Sequence, residues 1–166
     1  ADAFGPNIYF FPQKVSMITN SANVSLPILG NLTKAWGALP LPEDYTASKN
    51  FLKELALRLK RKGVVVIYPE AHLWPYYTKI RPFTYNNFAY SVKFNVKSYV
   101  LTTTYQTKRN GKLKRVVYLD GPFSLSPLLT NKEAAVALRD EVFKVMNERS
   151  KLSTYEKYEY VQRSKA

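Results

Sequence analysis

A helix that runs into a strand with no linker between them constrains this chain more than any other feature. Over residues 48–62, Phe51, Leu52, Leu55, Ala56 and Leu59 fall on one apolar stripe, and basic residues gather in the last turn. Those cations meet the negative end of the helix dipole, and Gly63 stands at the stop position. Residues 64–68, "VVVIY", follow at once, β-branched and aromatic without polar alternation. That pattern predicts a strand covered on both faces, as in a parallel sheet, and helix followed directly by such a strand fits an α/β domain.

The rest of the chain is consistent with that class. Residues 14–19, "KVSMIT", alternate as a half-buried strand would. Ile28, Leu29, Leu32 and Trp36 have helical spacing and predict a short helix, and the prolines of "GALPLPEDY" predict a turn or extended piece after it. "SYVLTTTYQTKR" and "KLKRVVYLD" flank Asn110-Gly111, which predicts a hairpin with a two-residue turn. Asn131 is placed to cap a helix through about residue 149, with Ala135, Leu138, Val142, Val145 and Met146 inward. The expected fold is α/β, with a mixed, largely parallel central sheet flanked by helices and an antiparallel hairpin near residues 98–119. Residues 1–150 read as one domain and 151–166 as a polar tail or short terminal helix.

Composition removes several classes of function. There is no Cys and only one His, so neither a disulfide framework, a thiolate zinc site nor an imidazole-rich metal site is expected. No run approaches the roughly 18 apolar residues of a membrane span. Lys and Arg number 25 against 12 for Asp and Glu, a formal charge of +13 that suits anionic partners.

The strand at 64–68 ends on Pro69-Glu70, the sole histidine, His72, comes two residues later, and Lys79 and Arg81 follow soon after. The words "IYPEAHLW" and "KIRPFTYNNFAYSVKFNVKSYVLTTTY", the upstream "LGNLTKAWGALPLP" and the opening Ala1-Asp2-Ala3-Phe4 stand in an order that resembles the glycerophospholipid acyltransferase family, whose bacterial members acylate lysophosphatidate. The likeness spans roughly residues 1–106. In that family the strand ends in Phe-Pro-Glu-Gly-Thr-Arg-Ser, and an earlier block reads His, four residues, Asp. Here Ala71-His72-Leu73 stand where the family has Gly-Thr-Arg, and the residue at the second block's Arg is Pro42.

The resemblance implies a fatty acyl group moved from an acyl thioester, on coenzyme A or acyl carrier protein, to a hydroxyl of a glycerol-phosphate-type acceptor such as a lysophospholipid. No further cofactor and no metal is expected. It makes Asp2 the aspartate of the His-Asp pair and puts the histidine five residues before it, ahead of Ala1. An imidazole suits the base because its pKa lies near working pH, and a carboxylate on its other nitrogen fixes the tautomer. Glu70 would orient acceptor hydroxyls, Lys79 and Arg81 would take the acceptor phosphate in place of the family's arginines, and His72 would line the pocket as a donor.

Trp74 reads as core, and the basic helix residues Lys53, Arg58, Lys60, Arg61 and Lys62 as a solvated face that an anionic membrane would attract. The family likeness also implies membrane association on the cytoplasmic side. Two other readings compete: a non-catalytic relative that binds acidic lipid or protein, and a basic nucleic-acid-binding domain suggested by charge and interleaved aromatics. The second lacks a recognisable motif, and no nucleic acid is the expectation.

Overall fold

A computed structural model of the protein describes residues 5–20, 35, 37–71, 74–124 and 129–161. The chain is α/β, with, among the described residues, a three-stranded parallel sheet, an antiparallel two-stranded hairpin and four helices longer than one turn. Its contacts gather into two compact units, Ala1–Tyr68 and Pro69–Ala166.

In the first unit a short helix α1 (Gly5–Tyr9) precedes strand β1 (Val15–Thr19), followed by β2 (Ala38–Pro40), helix α2 (Tyr45–Lys60) and β3 (Val64–Val66). The strand order is β2-β1-β3, all parallel, with Met17 opposite Ala38 and Val15 opposite Val64. β1 is therefore the central strand, and Val15, Ser16 and Ile18 are all buried. Ser16 departs from the alternation expected of this strand because its hydroxyl has a partner inside: Arg58 Nη1 donates to Ser16 Oγ at 2.9 Å and to the Gly37 carbonyl at 2.8 Å. Arg58 thus ties α2 to β1 and to the entry of β2, with its Nε on Glu54 at 2.7 Å. It does not belong to the solvated basic face expected for it.

α2 starts three residues earlier than the apolar stripe predicted. Asp44 caps it, its carboxylate accepting from Ala47 N at 2.7 Å. Phe51 and Leu55 are its buried residues. The helix ends in a Schellman motif: Lys62 N donates to Leu59 O, Gly63 N donates to Arg58 O, and Lys62 carries the left-handed turn at φ 59°. Gly63 is needed for room rather than rotation, since a Cβ there would sit 3.0 Å from Arg58 O and 3.3 Å from Lys14 O. β3 stops at Val66, and its three valines are half-buried at the edge of the sheet among the described residues, so the expected cover on both faces is not observed. Of the helix expected within residues 26–36, Ala35 alone is among the described residues, in helical conformation, and the rest lies outside them.

The second unit opens on a loop that leads into a short 3₁₀ turn (Asn86–Phe88) and helix α3 (Ala89–Phe94). The hairpin β4 (Ser98–Thr107) and β5 (Leu113–Phe123) comes next, then the long helix α4 (Asn131–Ser150). Phe83, Val100, Phe123, Leu138, Val142 and Met146 form one buried cluster, with Ile80, Phe88, Phe143 and Val145 packed against it. The hairpin pairs only with itself among the described residues and is a second sheet rather than a continuation of the first. Its turn is longer than the expected two residues. Lys108 N donates to Lys112 O and Gly111 N to Lys108 O, with Gly111 at φ 75° and Asn110 not at positive φ. A two-residue I′ turn needs positive φ at both central residues, so the chain takes a three-residue loop with glycine in the left-handed position.

α4 is capped by Thr130 rather than Asn131. The Thr130 hydroxyl accepts from Glu133 N, and Glu133 Oε2 accepts from Thr130 N at 2.9 Å, a capping box. Residues 151–161 form neither helix nor strand. Thr154 N and Tyr155 N both donate to Tyr105 O, and Thr107 N donates to Thr154 Oγ1 at 3.0 Å, so this segment closes the outer edge of β4.

β5 and α4 are joined by a bidentate pair, Arg149 Nε to Asp120 Oδ2 at 3.0 Å and Nη2 to Oδ1 at 2.5 Å. The Arg149 hydrogen bonds hold the Asp120 carboxyl below the ordinary carboxylate range. The folded state therefore binds fewer protons at this group than the unfolded chain. The stability it supplies is present in full above the unfolded value of about 3.9 and is lost as pH falls through the folded value. Asp120→Asn is expected to flatten the fall in melting temperature between pH 5 and pH 2.5. An unchanged acid slope, read by circular dichroism melts, would show that the pair contributes nothing.

Candidate functional site

The loop that follows Pro69 sets the site. Glu70 is half-buried, and its Oε2 accepts from the main-chain N–H of Arg81 at 2.8 Å, so the carboxylate pins a residue eleven positions away and draws the two ends of this loop together. Two non-glycine residues in this loop hold left-handed backbone, Ala71 at φ 61° and Tyr76 at φ 59°. Such conformations are uncommon outside glycine and persist where the surroundings impose them.

Arg81 is half-buried. Its guanidinium lies over the Trp74 ring at 4.6 Å, and its Nη1 is buried without a hydrogen-bond partner among the described residues. A buried guanidinium donor with no protein acceptor is uncommon in folded proteins, and a water or an anion is the kind of partner that satisfies it. Trp74, expected in the core, is instead 43% exposed; Tyr160 stacks on it at 5.1 Å and Tyr77 meets it edge-on. Its ring partner comes from the tail after α4. Tyr160 Oη donates to Pro75 O at 2.7 Å, and Tyr158 meets Tyr76, which in turn meets Tyr105 of β4.

Lys79 is exposed and lines a cavity of about 410 Å³ between the loop and the tail, with Tyr77, Thr78, Lys157, Tyr158 and Tyr160 and the carboxylates Glu156 and Glu159. Lys157 Nζ sits over the Tyr76 ring at 4.5 Å. Its pKa is raised by attraction to Tyr158 first and Tyr76 next.

Glu70 and Arg81 are thus brought together directly, whereas Lys79 faces the cavity closed by the tail. Asp2 and His72 lie outside the described residues. Among the described residues no group of His, Asp and Glu is arranged to hold a metal ion, and no helix is long and apolar enough to cross a membrane. The tail residues Lys157, Tyr158 and Tyr160 are the part of this site that the sequence reading passed over. The usable signal was "YEKYEY", whose Tyr158 and Tyr160 have the two-residue spacing of an extended segment with one aromatic face.

No protein-family profile, curated protein or solved structure matches this chain.

Proposed function

We propose that this chain carries the acceptor-gripping part of an acyltransferase that moves a fatty acyl group from a thioester to a hydroxyl of a phosphorylated, glycerol-type alcohol. The observation that carries the reading is the Glu70 carboxylate pinned to the main chain of Arg81, whose buried guanidinium nitrogen has no acceptor among the described residues. A carboxylate able to accept from an alcohol hydroxyl and a cation able to hold a phosphate then share one loop. Ala71 adds support, since its left-handed backbone stands where the resembling family has glycine, the residue that favours this conformation.

In the reaction the acceptor oxygen attacks the thioester carbonyl carbon, a base takes the hydroxyl proton, the new C–O bond forms, the C–S bond breaks and the thiol leaves with a proton. Glu70 orients the alcohol and Arg81 holds its phosphate, with Lys79 as a second cation reached through the cavity beside the tail. The resemblance puts the base on a histidine five residues before Asp2, so His72 is not required as the base.

The test is thiol release from an acyl thioester in the presence of lysophosphatidate. Arg81→Ala is expected to raise the acceptor KM about tenfold, the scale of one charge-assisted phosphate contact, and Lys79→Ala to do so to a smaller extent. His72→Asn is expected to keep measurable turnover. Acceptor-independent thiol release, or an acceptor KM untouched by Arg81→Ala, would remove the basis of this reading. Lysophosphatidate bound without thiol release would favour the non-catalytic relative.

A further inference from the structure

Between Glu70 and Asp120 the sequence has no acidic residue, and five of the cations in that stretch crowd into the hairpin tip: Lys108, Arg109, Lys112, Lys114 and Arg115. All five are exposed, and none enters an ion pair among the described residues. The nearest acid in sequence, Asp120, is occupied by Arg149.

The tip is also held in shape. Lys108 N donates to Lys112 O at 2.8 Å, Gly111 N to Lys108 O at 2.9 Å, and Lys112 N to Asn110 Oδ1 at 3.2 Å. Lys108 and Lys112 therefore stand opposite one another where the ladder ends, and like charges so placed destabilise a hairpin. A local conflict of this kind, kept on a rigid and exposed tip, marks a place where an outside anion relieves it.

Aromatic rings continue from the base of the tip. Tyr105 is opposite Arg115 in the ladder, Tyr105 meets Tyr76 at 5.5 Å, and Tyr76 meets Tyr158 at 5.9 Å. Two kinds of anionic surface carry enough charge to answer such a patch. Single-stranded nucleic acid needs open ring faces on which bases stack. Here ring faces are already engaged, Trp74 by Tyr160 and Arg81 and Tyr76 by Lys157. A lipid head-group layer needs amphipathic rings with exposed edges beside flexible cations, and makes no demand on ring faces. Trp74, Tyr158 and Tyr160 are 43%, 47% and 39% exposed.

We infer that the hairpin tip, with the aromatic belt beside it, docks this protein on a membrane surface rich in anionic phospholipid. The inference does not depend on acyl transfer, and adds to that reading the surface from which a lipid acceptor would be met.

The experiment is co-sedimentation of the protein with vesicles of phosphatidylcholine alone and of phosphatidylcholine with phosphatidylserine. The protein is expected to prefer the anionic vesicles about tenfold or more, and to lose that preference as salt is raised. The triple variant Lys108→Glu/Arg109→Glu/Lys112→Glu is expected to abolish the preference, and the neutral Lys108→Gln/Arg109→Gln/Lys112→Gln, which removes the like-charge conflict, to weaken it severalfold with a melting temperature no lower than that of the unaltered protein. Lys60→Glu/Arg61→Glu/Lys62→Glu, at the end of α2, makes the same charge change and is expected to leave vesicle binding within about twofold. Equal loss from the α2 variant would reduce the effect to net charge and overturn the assignment. So would absence of any preference for anionic vesicles, or a tip variant that releases a single-stranded oligonucleotide while still sedimenting with vesicles. Thiol release with a short-chain, fully dissolved acceptor separates the two proposals: the tip variants are expected to retain whatever turnover the unaltered protein shows.

Discussion

Gly37→Ala is expected to unfold the first unit or bring it close to unfolding. Gly37 has φ 87°, and its carbonyl accepts from Met17 N at 3.2 Å and from Arg58 Nη1 at 2.8 Å. A Cβ at this position would lie 2.4 Å from the Val15 carbonyl oxygen, which belongs to the main chain of the central strand. No side-chain rotation relieves that contact, so either β2 leaves β1 or β1 bends away from β3. Left-handed strain and the clash together are expected to remove about 3 kcal/mol or more, a large share of the roughly 5–15 kcal/mol that holds an ordinary domain. Gly111→Ala is the comparison, because it has a similar φ of 75° but nothing within 4 Å of its Cβ position. It should lose only the backbone preference, about 1–2 kcal/mol. Urea midpoints followed by circular dichroism measure both, and indistinguishable midpoints would show that the close approach to Val15 has no energetic weight.

Glu70→Ala is expected to lower acceptor kcat/KM by about 100-fold, the scale on which loss of positioning near a reacting group is felt. The substitution also strands the Arg81 N–H that Glu70 now satisfies, and an unsatisfied half-buried donor destabilises by about 1–2 kcal/mol. Glu70→Gln separates the two effects. Its amide oxygen can still accept from Arg81 N, so the loop should hold and the melting temperature should stay within a degree or two, while the negative charge that would orient a hydroxyl under the proposed function is gone. Full acceptor use by Glu70→Gln would reduce Glu70 to a loop staple and leave Arg81 as the remaining reason to look for a phosphate here.

The sequence showed the elements more clearly than their neighbours. α2, α4 and β1 were visible in the repeat of their apolar residues, and the hairpin in the Asn110-Gly111 turn signal between its two strands. The order of the parallel sheet was not. β1 reads as a half-exposed strand because of Ser16, yet it is central, and its polar residue is buried against a guanidinium that arrives from residue 58. β3 reads as fully covered because it is all valine, yet it lies at an edge. Alternation reports side-chain polarity, and a distant partner can reverse what polarity implies about burial. The same holds for the site. Glu70, Lys79 and Arg81 stood out as a carboxylate followed by cations, but the main-chain bond that joins Glu70 to Arg81 has no sequence signature. Nor does the return of Tyr160 to Trp74, eighty-six positions away.

The stretch that follows α4 has a practical corollary. Ser153, Thr154 and Tyr155 satisfy the amides and carbonyl along one flank of Tyr105 and Thr107. A two-stranded ribbon by itself is marginal in water, and a bare flank recruits whatever strand it meets. Proteolytic clipping after Leu152 would uncover that flank, and clipped molecules should pair with one another, eluting from a sizing column ahead of the intact protein.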